Sequence, residues 1–318
     1  MVTKYAFLFP GQGAQFPGMG VDLYEASPAA KECLDTVSEI AGEDVLALLR
    51  DSPADVLSRS DRSQLAITAV SLTVAAVLKE KGIEPSACAG FSLGEFPALC
   101  VSGVLSFADT VRVVKQRGEI MQRVCDSIAA RSAGRVPGMA AVIGLPPETV
   151  LRICADIDGV FAANMNSVRQ TVVSGTADGL DAVEAAFKEA GARRVVRLAV
   201  AGPFHSPLMQ EAADAFEQVI ADVEFRDPVA ALFSNVSGKQ VASGAEAKAS
   251  AVRHLVQSVL WTSEEKALAE FAAADAGSTW RFLEPGPGKV LAGLWKDTEF
   301  GAEHPVSPCC SFENITAL

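Results

Sequence analysis

Histidine is scarce in this sequence. Among 318 residues only three are histidine, at positions 205, 254 and 304. A histidine-rich metal-binding tract is therefore excluded, and a catalytic histidine must be one of these three. His205 lies in the Gly- and Pro-bounded segment "GPFHSP", a setting typical of a functional loop. His254 lies in a polar, helix-like run and His304 follows Glu303 near the C-terminus, so we expect both to be surface residues.

Patterned cysteines and long apolar runs are also missing. The seven cysteines form no C-x-x-C pair, and Cys309 and Cys310 are adjacent. This arrangement fits neither a disulfide framework nor a zinc site, and it indicates reduced thiols in a cytoplasmic protein. No apolar run reaches the ~20 residues that a membrane-spanning helix needs. The N-terminal apolar stretch lacks a small-residue cleavage site, so we expect a first strand there and not a signal peptide.

Positive charge is in short supply. The chain has 27 Lys and Arg residues against 39 Asp and Glu residues, which gives a formal net charge of −12. Nucleic acids and anionic membranes attract basic surfaces, so the charge balance predicts neither as a partner. Hydrophobic residues make up 49% of the chain. That content, at this length, predicts one large domain or a large domain with a smaller one.

Strand-like and helix-like segments alternate in the first part of the chain. "KYAFLFPGQG" is typical of a buried strand that ends at Pro10 and a Gly-rich turn. Residues 64–82 form a long apolar helical pattern, "SACAGFS" predicts a short strand, and the next helix ends at Gly103. This alternation predicts an α/β fold with a parallel central sheet.

Residues 131–199 follow a different pattern. After the linker-like "RSAGRVPG", the sequence predicts the order β-α-β-β-α-β, which is that of a ferredoxin-like unit. The predicted elements are strand 139–144, helix 147–156, strand 160–166, strand 170–175, helix 178–190 and strand 194–200. We therefore expect a small ferredoxin-like subdomain at 131–199, inserted into a large subdomain formed by 1–130 and 200–318.

Ser92 lies in "GFSLG", where a predicted strand turns into a predicted helix. Such a turn exposes a serine hydroxyl, and it makes the N–H of the next residue, Leu93, a ready oxyanion donor. An ordinary helix N-cap is the alternative. Gly90 and Gly94 favour a nucleophile, because a plain cap needs neither glycine.

A serine nucleophile needs a base, and the loop around His205 makes that residue the best candidate. The Gly-flanked Gln12 in "FPGQGAQ" follows a buried strand, and its backbone N–H is a candidate second oxyanion donor. The segment lacks the Lys-Ser/Thr ending of a phosphate loop.

Arg117 lies within a mostly apolar helical pattern beside Met121. Arginine is usually a solvated surface residue, but at the edge of an apolar helix its planar fork can bind a substrate carboxylate. The amides of "NMNS", Asn164 and Asn166, form either a turn or a set of donors over the site.

Six segments together resemble those of malonyl-CoA:acyl carrier protein transacylases, a family that includes the acyltransferase domains of polyketide synthases. They are "FPGQGAQ", "GFSLGE", "QRGEIMQ", "NMNSVRQTVVSG", "GPFHSPLM" and "EPGPGKVLAGL". They occur in the family's order and at about its spacing, across nearly the whole chain. The resemblance implies an α/β-hydrolase-like large subdomain with an inserted ferredoxin-like one, as the residue pattern also predicts.

The resemblance also implies roles for individual residues. Ser92 would be the acylated nucleophile and His205 its base, with oxyanion N–H groups from Gln12 and Leu93. The backbone carbonyl near Leu260 would orient His205. The implied substrate-binding residues are Arg117 for the malonyl carboxylate, Asn164, Asn166 and Met121 in the cleft, and Phe204, which would favour malonyl over branched groups.

The implied reaction is malonyl transfer from malonyl-CoA to acyl carrier protein, by a monomer without metal or organic cofactor. A discrete acyltransferase serving a polyketide synthase, a serine hydrolase and a non-catalytic scaffold are the alternatives. Because acyl carrier proteins are acidic, docking would need a local basic patch, and Lys188, Arg193, Arg194 and Arg197 are candidates. Phe91 and Pro97 depart from the family's usual residues.

Overall fold

Two separate β-sheets organise the computed structural model, which describes residues 2–318. The strands are β1 (Val2–Phe9), β2 (Ala87–Gly90), β3 (Gly138–Ile143), β4 (Val160–Ser167), β5 (Gln170–Gly175), β6 (Arg194–Arg197), β7 (Ala231–Ser234), β8 (Lys239–Gln240), β9 (Ser278–Glu284) and β10 (Val306–Pro308). One sheet has six strands and the other has four.

Fourteen α-helices surround the sheets within the described residues. They are α1 (Val21–Ala26), α2 (Pro28–Ala41), α3 (Val45–Asp51), α4 (Ala54–Leu57), α5 (Ser60–Glu80), α6 (Glu95–Val101), α7 (Phe107–Arg131), α8 (Pro147–Ala155), α9 (Ala177–Glu189), α10 (Gln210–Ile220), α11 (Gly244–Arg253), α12 (Trp261–Ala273), α13 (Val290–Trp295) and α14 (Phe312–Thr316).

The six-stranded sheet has the strand order β10-β9-β1-β2-β7-β8. All of its pairings are parallel except that of β7 with β8. Residues 6–9 of β1 are fully buried, and they are uniformly apolar because helices cover both faces of the sheet. The predicted α/β class with a parallel central sheet is confirmed.

The four-stranded sheet is antiparallel, with the order β4-β5-β3-β6. Its elements follow the chain as β3-α8-β4-β5-α9-β6, so the predicted ferredoxin-like order is confirmed. One face packs on α8 and α9 through a small core of its own that includes Val142, Val173 and Phe187. Strand β6 ends at Arg197, earlier than the predicted residue 200. The subdomain boundaries at 131 and 199 stay a prediction.

The two sheets are joined beside the loops that carry function. Val259 donates its N–H to the carbonyl of Ala163 (2.8 Å) and accepts the N–H of Met165 (2.9 Å). Val259 therefore pairs with β4 of the small sheet in an isolated parallel bridge. Ser174 of β5 also donates its hydroxyl to the carbonyl of Phe204. The small sheet is therefore held against the loop that contains His205.

Helix α5 is long and apolar enough, by length and composition alone, to cross a bilayer. Here 83% of its most apolar window is buried, against neighbours that include α2 and α7. It is therefore a core helix that is surrounded by other elements of the fold.

Candidate active site

Ser92 lies on a tight turn between β2 and α6, which we call the serine turn (residues 90–94). Its φ is +52°, a left-handed conformation that costs a non-glycine residue about 1–2 kcal/mol. A Cβ on Gly90 would overlap the carbonyl of Gly94, and a Cβ on Gly94 would overlap that of Phe9. Both glycines are therefore required by close backbone approach, as the sequence predicts, and the strain is of the kind that concentrates at functional sites.

Asn235 holds the serine turn from the end of β7. Its Oδ1 accepts the N–H of Ser92 at 2.8 Å, and its Nδ2 donates to the carbonyl of Gly90. The side chain is fully buried, so both bonds are shielded from water. Sequence reasoning missed this residue, because it lies 143 positions from Ser92 and only the strand-ending "FSN" marks it.

His205 is in hydrogen-bond contact with Ser92. Its Nε2 lies 2.8 Å from Ser92 Oγ, and its Nδ1 lies 2.8 Å from the carbonyl oxygen of His254. A carbonyl can only accept, so Nδ1 carries the ring proton and Nε2 is free to accept from the serine hydroxyl. The φ of His205 is +56°, a second left-handed residue in the same pair.

The expected orienting carbonyl near Leu260 is wrong. Leu260 directly precedes α12, and its carbonyl accepts from the N–H groups of Ser263 (3.1 Å) and Glu264 (3.0 Å). The carbonyl of His254 can accept from His205 Nδ1 because it lies just beyond the end of α11, where carbonyls have no partner within the helix. Leu260 instead lines a cavity of about 730 Å³ that His205 also borders.

His205 is 6% exposed, and burial lowers its pKa to about 4, helped by the positive charge of Arg117. The hydrogen bond to the carbonyl of His254 acts in the opposite direction. The imidazole is therefore neutral at pH 7, the state in which it can take a proton from a serine hydroxyl.

The expectation that His254 is a surface residue is wrong, because its side chain is fully buried. Its ring packs against that of His205, with 4.9 Å between centroids, and burial lowers its pKa well below the ordinary value. Its Nδ1 lies 3.9 Å from Glu95 Oε2. His304 is exposed, as expected.

Arg117 extends from α7 into the same site and is only 2% exposed. Its Nη1 donates to Gln64 Oε1 at 2.6 Å, and its guanidinium lies 5.1 Å from the ring centre of Phe96. The Nε group has no hydrogen-bond partner. Burial lowers the pKa of Arg117 to about 10, so it stays charged at neutral pH. A buried, incompletely paired guanidinium of this kind suits a carboxylate ligand.

A cavity of about 300 Å³ brings most of the sequence-predicted residues together. Its lining includes Gln12, Ser92, Arg117, Met121, Asn164, Asn166, Phe204 and His205. Leu93 is buried, and neither Leu93 nor Leu260 is part of the lining. The large subdomain supplies the serine, histidine and arginine, whereas the amides of Asn164 and Asn166 come from β4.

The backbone groups predicted as oxyanion donors lie next to the serine turn. A Cβ on Gly11 would overlap the carbonyl of Phe91, so the loop that carries Gln12 packs directly on the turn. Leu93 lies in the first helical turn after Ser92, where N–H groups have no intrahelical acceptor. The assignment of both N–H groups as oxyanion donors stays a prediction.

The structure accounts for Phe91 and locates Pro97. The ring of Phe91 packs edge-on against Trp261, with 5.4 Å between centroids, and also borders the cavity. Pro97 is the third residue of α6, in the first turn, where a missing N–H removes no intrahelical hydrogen bond.

No group of three or more His, Cys, Asp or Glu side chains within residues 2–318 is placed to hold a metal ion.

The basic residues suggested for docking differ in their surroundings. Lys188 pairs with Glu184 (2.7 Å) and Arg197 with Asp181 (2.7 Å), whereas Arg193 and Arg194 are exposed.

The chain is similar to known proteins over most of its length. The family model described as "Acyl transferase domain" matches residues 6–277. A malonyl CoA-acyl carrier protein transacylase from Bacillus subtilis is 38% identical over 300 residues, which cover 93% of this chain and 90% of the relative.

Two solved structures are similar over almost their full length. An acyl carrier protein S-malonyltransferase from Vibrio cholerae superposes with a TM-score of 0.89 at 33% identity, covering 99% of both chains. The malonyl-transacylase PlMCAT, solved in complex with the type II PKS acyl-carrier protein AntF, has a TM-score of 0.88 at 32% identity. That match covers 99% of this chain and 98% of the other.

Proposed function

The chain belongs to the acyl transferase domain family, and on that premise we propose that it transfers the malonyl group of malonyl-CoA to acyl carrier protein. The acceptor is the phosphopantetheine thiol of the carrier, and the intermediate is a malonyl ester of Ser92. One observation carries the proposal. The hydrogen-bonded pair of Ser92 and neutral His205 shares a cavity with the buried guanidinium of Arg117.

In the first half-reaction, His205 Nε2 takes the proton of Ser92 Oγ as the oxygen attacks the thioester carbonyl of malonyl-CoA. The N–H groups of Gln12 and Leu93 stabilise the tetrahedral oxyanion. The carbon–sulfur bond then breaks, the proton passes from His205 to the leaving thiolate, and CoA departs as a thiol. Ser92 keeps the malonyl group as an oxygen ester.

The second half-reaction reverses these steps with a different thiol. His205 takes the proton of the phosphopantetheine thiol, and the thiolate attacks the ester carbonyl of malonyl-Ser92. The ester carbon–oxygen bond breaks, and His205 returns the proton to Ser92 Oγ. Water must be kept from the ester, since the same base would otherwise activate it. Every proton and charge in this scheme is handled by residues of the chain, so we propose that no metal or organic cofactor takes part.

Substrate choice follows from the remaining cavity residues. Arg117 pairs with the free carboxylate of the malonyl group, because a guanidinium presents two parallel N–H donors to a carboxylate. Asn164, Asn166 and Met121 form the cavity wall along the acyl chain. Phe204 occupies space beside His205 and disfavours a methyl branch on the malonyl carbon.

We further propose that carrier protein docks near the exposed Arg193 and Arg194, which form no ion pair within residues 2–318 of this acidic protein. The reaction would take place in the cytoplasm, where the seven unpaired cysteines stay reduced.

A carrier protein of polyketide synthesis is a second candidate acceptor. The similarity to PlMCAT, whose partner is a type II PKS acyl-carrier protein, favours this second acceptor. The chemistry of transfer would be the same with either carrier.

Transfer can be distinguished from hydrolysis in a single reaction. We expect enzyme, malonyl-CoA and phosphopantetheinylated acyl carrier protein to give malonylated carrier, with little free malonate. Intact mass spectrometry of the carrier and chromatography of malonate measure the two products together. Carrier protein without its phosphopantetheine arm is the matched control and should gain no mass. Release of malonate at a rate equal to or above transfer would show a hydrolase instead.

A further inference from the structure

Glu95 is a buried carboxylate that the mechanism above does not use. It is the first residue of α6, directly after the serine turn, and it is only 3% exposed. Buried carboxylates are retained at a high desolvation cost unless neighbouring groups stabilise them, so its partners indicate what it does.

The first partner connects Glu95 to Ser92. Glu95 Oε2 accepts the backbone N–H of Asn235 at 3.4 Å. The side chain of the same Asn235 binds the N–H of Ser92 and the carbonyl of Gly90. One residue therefore separates Glu95 from the backbone that sets the direction of the Ser92 hydroxyl.

The second partner connects Glu95 to His205. Glu95 Oε2 lies 3.9 Å from His254 Nδ1, and neither ring nitrogen of the buried His254 has a hydrogen-bond partner. The ring of His254 packs against the ring of His205, and its carbonyl accepts from His205 Nδ1. A small movement that brings Nδ1–H of His254 onto the Glu95 carboxylate would give this nitrogen a hydrogen-bond partner.

We infer that Glu95 is a positioning residue, whose ionised carboxylate holds Asn235 and His254 and thereby sets Ser92 Oγ against His205 Nε2. This inference rests on the proposed function, because it concerns the geometry of the same proton transfer. Because one carboxylate contacts both Asn235 and His254, it fixes their relative position. Misplacement of reacting groups by about 1 Å can cost roughly a hundredfold in rate.

The charges around Glu95 come from several elements. Arg117 on α7 favours its ionised form, and Glu264 on α12 is a second buried carboxyl whose pKa is raised well above its ordinary value. His254 and His205 are both held neutral by burial. The buried residues of β1 and α5 carry no charge, and burial keeps the Cys88 thiol of β2 neutral.

Burial raises the pKa of Glu95 to about 7, against the opposing hydrogen bonds of Ser234 and Asn235 and the charge of Arg117. The carboxylate is therefore present above about pH 7 and is lost as the pH falls below that value. The pKa of His205 is about 4, so a mechanism that depended on His205 alone would keep its rate down to nearly that pH. Control by Glu95 and control by His205 alone therefore predict different pH dependences of the rate on the acidic side.

The test is the rate of Ser92 malonylation in a single turnover between about pH 5 and pH 8. The donor is the malonyl thioester of N-acetylcysteamine at saturating concentration, because it lacks the titrating phosphate of CoA. We expect the wild-type rate to fall below an inflection near pH 7 and to level off about tenfold to a hundredfold lower, as Glu95 becomes protonated. We expect Glu95→Gln to be roughly tenfold to a hundredfold slower at pH 8 and to lose that inflection.

Glu265→Gln is the matched control. Glu265 is also a buried carboxyl of raised pKa, about 8, but it faces Trp261 and not the serine turn. Its replacement should leave the wild-type inflection in place. A second variant, His254→Phe, keeps an aromatic ring but removes the N–H donor, so it should move the inflection to higher pH. Circular dichroism establishes that each variant is folded.

A wild-type rate that stays flat from pH 8 to pH 5 would overturn the inference without any variant. An inflection near pH 7 that persists in Glu95→Gln, or one that His254→Phe leaves unmoved, would also overturn it. Failure of the proposed function gives a different result, namely no malonyl ester on Ser92 at any pH.

Discussion

Replacing His205 by alanine should reduce the rate of Ser92 malonylation by at least 10²- to 10⁴-fold, the usual contribution of a general base. The physical reason is the 2.8 Å contact between His205 Nε2 and Ser92 Oγ, since no other described residue is hydrogen-bonded to this hydroxyl. Residual activity should remain, because backbone N–H groups still stabilise the oxyanion. Rapid-quench measurement of malonyl-enzyme formation at saturating malonyl-CoA gives the rate directly.

His304→Ala is the control for this experiment. His304 is exposed and does not line the cavity, so its loss should leave the rate unchanged. A folded His205→Ala variant that loses less than tenfold would assign the base to another group.

Replacing Arg117 by alanine should impair malonyl transfer far more than acetyl transfer. Removing one partner of a charge-assisted pair between a buried guanidinium and a carboxylate costs about 2–5 kcal/mol, which is roughly 30-fold to 4,000-fold in kcat/KM. Acetyl-CoA has no free carboxylate, so its already poor transfer should change little. The measurement is kcat/KM for both thioesters, with wild type and variant compared side by side.

Two further variants sharpen the Arg117 experiment. Arg117→Lys keeps the charge but loses the planar fork, and it should restore only part of the malonyl preference. Arg123→Ala removes an exposed arginine from the same helix and should have no effect. Equal losses for malonyl and acetyl transfer in Arg117→Ala would reject the role of Arg117 as carboxylate partner.

The sequence predicts the fold well because its signals are local. The order of elements in the small subdomain follows from periodicity and turn residues within some 70 positions, and the structure has the same order. Gly90 and Gly94 predict the serine turn for the same reason, since both lie within two residues of Ser92. The errors in helix and strand ends, such as β6 ending at Arg197, are small and local too.

The supports of the site could not be predicted, because they depend on contacts between distant segments. Asn235 lies in no motif, and only the folded chain brings it to the serine turn and to Glu95. The orienting carbonyl was expected near Leu260 and belongs to His254, because the choice depends on which helix end faces His205. Phe91, odd in the sequence, is explained by Trp261, 170 positions later in the chain.

The sequence wrongly predicts His254 as a surface residue because polar residues lie near it in the chain. Arg253 and Gln257 flank it and are at least partly exposed, which is typical of a surface helix. The chain leaves α11 at this point, and the side chain of His254 turns inward against His205. A helix end can bury one residue of a polar run, and a periodicity argument does not detect it.

The central claim is that Ser92 carries the malonyl group, and intact mass spectrometry after mixing with malonyl-CoA tests it most directly. Wild-type protein should gain the mass of one malonyl group, peptide mapping should place it on Ser92, and Ser92→Ala should gain nothing. A malonyl group that persists on Ser92→Ala would contradict the account.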